Sequence, residues 1–353
     1  MTMGAVWFGL VAAMLVAYVV LDGFDIGVGI LHVLLARTES ERQLTLRSIG
    51  PVWDGNEVWL VAAGGTLYFA FPLLYASAFS GFYLALMIVL WLIILRGLAI
   101  ELRMELHDAV WRTFFDATFF LSSALLAVFY GVALANVIRG VPLTGDSDFF
   151  VPLWTNWRVG PNPGILDWYT VTAGVLALVA LTIHGALYLS VKTDGDLQRR
   201  ARVLARRSWI ALVCLTVASL AGSVVARPTA IENYRSHPVL FAIPLGVLLT
   251  AIGIAFFSRR NADGRSFACS CGYLAFMLAG AAAALYPRLL PSSRPEGSDI
   301  TIANALAGPH TVHVGLVWWG FGIGLAIVYF VVVYRSFWGK VTLDGGANGQ
   351  INR

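Results

Sequence analysis

Nine apolar runs of about twenty residues or more, separated by short polar stretches, leave few folds open to this chain. They cover about residues 5–35, 52–74, 79–98, 117–138, 168–191, 208–226, 238–258, 267–286 and 312–334. A helix of that length crosses the roughly 30 Å of hydrocarbon in a bilayer, and none of the runs has the period-two alternation of an outer-membrane barrel. Composition points the same way. Of 353 residues 58% are hydrophobic and only 12% charged, with a mean hydropathy of +0.76, which excludes an ordinary soluble globular protein. The expectation is an all-α polytopic membrane protein, nine transmembrane helices in a single integral membrane domain over residues 1–353, with no soluble domain and no internal repeat.

The net charge of +4 does not indicate nucleic-acid binding, because the basic residues are spread over membrane loops and form no single face with interleaved stacking aromatics. Their distribution gives orientation instead. If the segment after the first helix is cytoplasmic, that side collects 18 of the 24 Lys and Arg, and the other side only six. By the positive-inside rule the N-terminus is outside and the C-terminus inside, as an odd helix count requires. The opening Met1-Thr2-Met3-Gly4 has no basic n-region, so the first helix is expected to be retained. The most basic stretch, Lys192 to Arg207, reads as an inner loop in contact with anionic lipid. The outer stretch from Arg139 to Asp167, with Trp154, Trp157 and four prolines, reads as an ordered interfacial segment.

Against this apolar background the acids stand out. Asp22-Gly23-Phe24-Asp25 lies inside the first run, and Trp53-Asp54-Gly55-Asn56-Glu57 opens the second, just after Pro51, which suits a first helical turn. A carboxyl within a spanning helix is costly unless paired, hydrated or neutral, and so marks a place where protons, ions or substrates pass. Asp54 and Glu57, three apart, share a helix face, and Asp22 shares one with Asp25. Asp25 lies roughly ten residues from the inner end of its helix, about 15 Å deep and near the bilayer centre, where helix capping does not explain it. Asp54, at a helix N-terminus, fits capping as well as proton handling. Two acid pairs on consecutive helices make a candidate proton path of Asp54, Asp25, Glu57 and Asp22, with Trp53, Asn56 and Arg96 as possible support. Arg96 is expected at the inner end of the third helix, within reach of the Asp54 cluster. Gly23, Gly27 and Gly29 allow close approach of a neighbour and a kink near Asp22; Gly23, Gly27, Gly64 and Gly65 are candidate interface positions.

Six histidines raise the question of haem. His107 reads as a loop residue, His237, His310 and His313 lie near the outer surface, and only His32 and His184 lie toward the inner side at comparable depth. These two are weak haem-ligand candidates, since nothing in their spacing favours ligation over hydrogen-bonded packing. Cys214, Cys269 and Cys271 read as packing residues, and there is no Cys-x-x-Cys-His, zinc, Walker or Rossmann spacing. The chain by itself reads as redox-silent, with no metal site.

Taken together, Asp22-Gly23-Phe24-Asp25-Ile26-Gly27-Val28-Gly29, Trp53-Asp54-Gly55-Asn56-Glu57-Val58-Trp59, and Leu285 to Ser293 followed by Asn304-Ala305 resemble subunit II of the bacterial cytochrome bd-type quinol oxidases. The resemblance covers essentially the whole chain. It implies two four-helix bundles plus one peripheral helix, in a bacterial cytoplasmic membrane. It implies a terminal oxidase of the aerobic respiratory chain that oxidises ubiquinol or menaquinol and reduces dioxygen to water, drawing protons from the cytoplasm. Haem b and haem d are then carried chiefly by the partner, subunit I, in a pseudosymmetric heterodimer; a structural quinone in this chain and a small single-helix accessory subunit occur in some members. Asp54 matches the aspartate of the Trp-Asp-Gly-Asn motif associated with proton delivery, and Asp25 the second aspartate of Asp-Gly-Phe-Asp. Some relatives have Gln where Glu57 stands, so the resemblance implies no obligatory proton-carrying role for Glu57. Two other classes fit the residues alone: a proton-coupled transporter with a midplane site, and a purely structural assembly subunit whose acids only cap and pack.

Overall fold

The computed structural model describes residues 2–106 and 108–342; His107 and Arg353, the latter counted above on the cytoplasmic side, lie outside the described residues. In hydrocarbon every backbone N–H and C=O needs a partner within its own segment, so each apolar run becomes a helix. The first, α1 (Met3–Leu35), is capped by the Thr2 side chain, which accepts from Ala5 N. It continues unbroken through Asp22–Gly29. A polar helix α2 (Glu39–Ile49) follows, started by a capping box in which Thr38 and Glu41 satisfy each other's backbone amides.

The second run does not form one straight span. α3 (Trp53–Ala70) stops where Pro72 removes an amide donor, and α4 (Pro72–Gly81) leaves at 120°. Ser77 lies within α4, and Pro51 lies in the turn before α3, not in its first helical turn. The remaining helices are α5 (Tyr83–Glu105), α6 (Ala109–Arg139), α7 (Trp168–Lys192), α8 (Gly195–Ala226), the short α9 (Glu232–Ser236), α10 (Ala242–Arg259), α11 (Asp263–Leu285), α12 (Ile302–Ala305) and α13 (Pro309–Ser336). A short antiparallel pair, β1 (Arg288–Leu290) and β2 (Ile300–Thr301), ties the loop after α11.

Among the described residues eight helices are long and apolar enough to cross a membrane, and α3 with α4 makes a ninth as one broken span, in agreement with the nine expected. Several helices run past their apolar runs. The basic stretch expected as a loop from Lys192 to Arg207 is largely helical from Gly195, and the charged stretch around Glu101 to Arg112 is mostly the ends of α5 and α6. Charged residues can extend a helix beyond the hydrocarbon because their side chains reach water.

The helices form two groups of four, α1, α3, α5, α6 and α7, α8, α10, α11, with α13 outside them packing mainly on α3. The groups meet along α1 and α7, whose backbones touch: a Cβ on Gly27 would stand 2.7 Å from the Cα of Gly185. Gly23 likewise faces Leu181 inside the chain, so these two positions serve internal packing, whereas Gly64 and Gly65 have nothing within 4 Å. Beside this seam Phe24 stacks on Tyr188 at 4.0 Å, and Phe267 closes over both.

Candidate functional site

The four-helix group containing α1 encloses a cluster of charge. Asp22 and Asp25 occupy successive turns of α1 and are fully buried. Both face inward because Gly23 and Gly27, on the opposing side of this stretch, pack against α7. Arg96 arrives from α5, also fully buried, nine residues short of the helix end rather than at it. Its guanidinium stands 2.8 Å from Asp22 and 3.1 Å from Glu57 of α3, so it meets the Asp54–Glu57 pair, as expected, through Glu57. Asn56, buried beside Glu57, donates to Asp25 Oδ2 at 2.7 Å and to Leu21 O at 3.3 Å. The hydroxyl of Tyr334 on α13 donates to Asn56 Oδ1 at 2.8 Å, so the outlying helix reaches the cluster.

The expected residues therefore separate into two groups. Asp22, Asp25, Asn56, Glu57 and Arg96 come together, while Asp54 is exposed at the first turn of α3. Trp53 lies beside Gly97 on α5, next to Arg96 in the chain but outside the ion pairs. Sequence reasoning missed the tyrosines. Tyr18 and Tyr130 share a hydrogen bond of 2.7 Å one turn beyond Asp22, and Tyr334 was invisible to local pattern. The spacing of Tyr18 four residues before Asp22, on one helix face, was the signal for it.

Three carboxyls share one guanidinium. Ionising all three leaves uncompensated negative charge where water is excluded, and a proton held among them removes it. Several atoms of the group make no hydrogen bond: both oxygens of Asp22, Oδ1 of Asp25, and Nε and Nη1 of Arg96, although Asp22 Oδ1 is in salt-bridge contact with Arg96. Buried polar atoms left this way are where water enters a site. The arrangement is chemically suited to taking up, holding and passing protons.

Comparison with known proteins gives the family. Residues 3–337 match the family model described as cytochrome bd terminal oxidase subunit II. The chain belongs to that family. It is 32% identical to the cytochrome bd-I ubiquinol oxidase subunit 2 of Escherichia coli K12, covering 96% of this chain and 95% of that one. It is also 32% identical to the cytochrome bd ubiquinol oxidase subunit 2 of Bacillus subtilis, covering 87% and 88%. In fold it resembles a chain of the bd oxidase from Geobacillus thermodenitrificans, with a TM-score of 0.75 at 17% identity, over 96% of this chain and 99% of that one. Subunit II is thus part of a terminal quinol oxidase, a haem-containing oxidoreductase complex of the bacterial inner membrane, and partners subunit I.

The two histidines weighed as haem ligands, His32 and His184, do not fit an axial ligand set. His184 has Nδ1 on Ser270 Oγ at 2.7 Å and Nε2 on Val20 O at 2.9 Å, with its ring stacked on Phe267. His32 has Nδ1 on Thr45 Oγ1 at 2.6 Å and Nε2 on Asp116 at 2.7 Å. Either would give up a buried hydrogen bond to bind iron. No group of three His, Cys, Asp or Glu suited to a metal ion occurs among the described residues.

Proposed function

We propose that subunit II supplies the oxidase with a proton path from the cytoplasmic side, entered at Asp54 and leading through Glu57 to the buried Asp22, Asp25 and Arg96. The observation that carries this reading is the excess of two carboxyls over guanidinium in a cluster whose Asp22, Asp25 and Arg96 are fully buried. Asp54 is exposed one helical turn before Glu57, whose side chain is 18% exposed and bridges surface to interior. Asn56 orients Asp25 through a direct hydrogen bond, and Tyr334 fixes Asn56 in turn. Glu57 acts here as a step between Asp54 and Arg96; a Gln in its place keeps a hydrogen bond to Arg96 and conducts through water.

The N-terminus is assigned to the outside and the C-terminus to the cytoplasm, on the strength of the charge distribution. Haem b and haem d are assigned chiefly to subunit I. The docking face for subunit I is assigned to α3 and α13, where Gly64, Gly65, Gly320, Gly322 and Gly324 have nothing within 4 Å. Quinol, lipids, a structural quinone and a small single-helix subunit complete the proposed assembly.

The test is quinol-driven oxygen consumption by membranes carrying Asp54→Asn or Asp25→Asn together with subunit I, with haem content read from reduced-minus-oxidised spectra. Loss of a positioned proton-transfer group lowers turnover by roughly two orders of magnitude at normal haem content. Normal turnover in both variants would show the acids to be capping and packing groups and the subunit to be structural.

A further inference from the structure

Seven residues beyond Asp25 on α1 stands His32, and seven beyond Arg96 on α5 stands Arg103; both are buried. At about 1.5 Å per residue this second group lies about 10 Å nearer the inner end, on the same helix faces. Its centre is Asp116 of α6. Oδ1 accepts from His32 Nε2 and from Arg103 Nε, both at 2.7 Å, and Oδ2 accepts from Arg42 of α2 at 2.7 Å. Glu39 of α2 takes the two terminal nitrogens of Arg103, and Arg112 of α6 reaches Glu39 at 3.3 Å. Arg42 and Arg112 are about a third exposed, so the group opens to solvent on the α2 side.

His32 satisfies its surroundings in two protonation states. Thr45 Oγ1 lies 2.6 Å from His32 Nδ1 and 2.7 Å from Arg42 O, and a hydroxyl has one proton to give. With a neutral ring protonated on Nε2, Thr45 donates to Nδ1. With both nitrogens protonated, Nδ1 donates to Thr45 and the hydroxyl turns to Arg42 O. In both states Asp116 receives the Nε2 proton, and no buried group loses its partner. A group that gains and loses a proton with only a hydroxyl rotation is suited to relay it.

Toward Asp25 the next polar atom on this seam is Ser123 Oγ of α6. It is fully buried, makes no hydrogen bond, and sits against Gly29, where a Cβ on α1 would strike it. Gly29 is three residues from His32 and four from Asp25, whose Oδ1 is likewise unpartnered. Between His32 and Ser123 lies Phe119, its ring 5.4 Å from the imidazole and also against Gly29.

We propose that this seam is a second proton inlet, with His32 as the loading group beside Asp116, Phe119 as the gate and Ser123 as the step to Asp25. The inlet rests on the proton-path reading, since it ends at the same carboxyl. A proton from cytosolic water joins His32 at Nδ1. When the Phe119 ring swings aside, the imidazolium gives its Nδ1 proton to water entering beside Thr45 and returns to the Nε2–H tautomer, with the Thr45 hydroxyl again donating to Nδ1. That water protonates Ser123 Oγ as the hydroxyl's own proton passes to Asp25 Oδ1.

The experiment uses the purified complex with Asp54→Asn as background, where the residual turnover runs through the second inlet. Adding Ser123→Ala, a change that fills the same space and removes only the hydroxyl, is expected to lower that residual a further tenfold or so. Adding His32→Gln is expected to do the same. If His32→Gln does not assemble, Ser123→Ala decides. A residual unchanged by Ser123→Ala, or no residual at all in Asp54→Asn, overturns the second inlet while leaving the first. Full turnover in Asp25→Asn overturns both.

Discussion

Arg96→Met isolates the electrostatics of the buried cluster. The substitution keeps an unbranched apolar stem in the α5 position and removes the one cation facing Asp22 at 2.8 Å and Glu57 at 3.1 Å. Both Arg96 and Asp22 are fully buried, so solvent does not screen the loss. Breaking a buried ion pair by removing one partner costs about 3–5 kcal/mol, since the remaining charge stays desolvated. That magnitude exceeds a third of the stability of many domains, and it predicts poor accumulation of the assembled complex. Replacing the orphaned acids as well, in Arg96→Met with Asp22→Asn and Glu57→Gln, exchanges the charged triad for neutral groups and recovers most of the loss, because neutral replacement of whole buried ion sets is often near-neutral in stability. The assay is the thermal midpoint and yield of the complex for wild type, single and triple variants. If the triple variant is as unstable as Arg96→Met, the damage is one of packing and the electrostatic account is wrong.

Three further perturbations test parts of the frame. Gly27→Ala sets a methyl against the backbone of Leu181 and Gly185 and is expected to cost about 1–3 kcal/mol, whereas Gly9→Ala, with nothing within 4 Å, stays within about 0.5 kcal/mol; thermal midpoints of the two compare directly. Asp167 accepts from Tyr169 N and Thr170 N as the cap of α7 and pairs with buried Arg139. Asp167→Ala loses both roles and should destabilise by about 3–5 kcal/mol, with Asp167→Asn, which keeps the cap, in between. At Glu39 the side-chain hydrogen bonds from Arg103 hold the carboxyl below its usual 4.5 despite partial burial. The native state then binds this proton less readily than the unfolded chain, so the contact stabilises fully above the usual value and fades as pH falls through the lowered one. The gap in thermal midpoint between wild type and Glu39→Gln should be present at neutral pH and close in acid.

The helix count was legible because hydrocarbon admits few backbone solutions, and each apolar run of sufficient length had to be a helix. The ends were not, since α5 to Glu105 and α8 from Gly195 are extended by charged residues that hydropathy assigns to loops. The 120° break at Phe71–Pro72 was half legible: the proline announced an end, but nothing local announced that α4 would continue as a separate helix. In the site, Asp22, Asp25, Asn56 and Glu57 were found because polar groups inside an apolar run have few reasons to be there. Arg96 was placed with the Asp54–Glu57 pair and does meet Glu57, but its contact with Asp22 was not legible, because it depends on how α1, α3 and α5 cross. Tyr334 and the His32–Asp116 pair join residues 278 and 84 positions apart, and one sequence carries no trace of such meetings.

A structural subunit would be expected to pair its interior carboxyls with cations, and outside one place the described residues do so. Asp116 and Glu39 face Arg42, Arg103 and Arg112; Glu41 faces Arg200; Asp263 faces Arg202; Asp167 faces Arg139. Among the described residues, only where α1, α3 and α5 meet are three carboxyls gathered around a single guanidinium, which contacts Asp22 and Glu57, at full burial for three of the four groups. Packing gives no reason to retain that excess, since an amide fills the space of a carboxylate with less desolvation. An exchangeable proton does give a reason, because it is the one partner that neutralises a surplus carboxyl and can leave again. The uneven distribution of charge, more than the presence of any single acid, therefore favours a conducting role for subunit II over a scaffolding one.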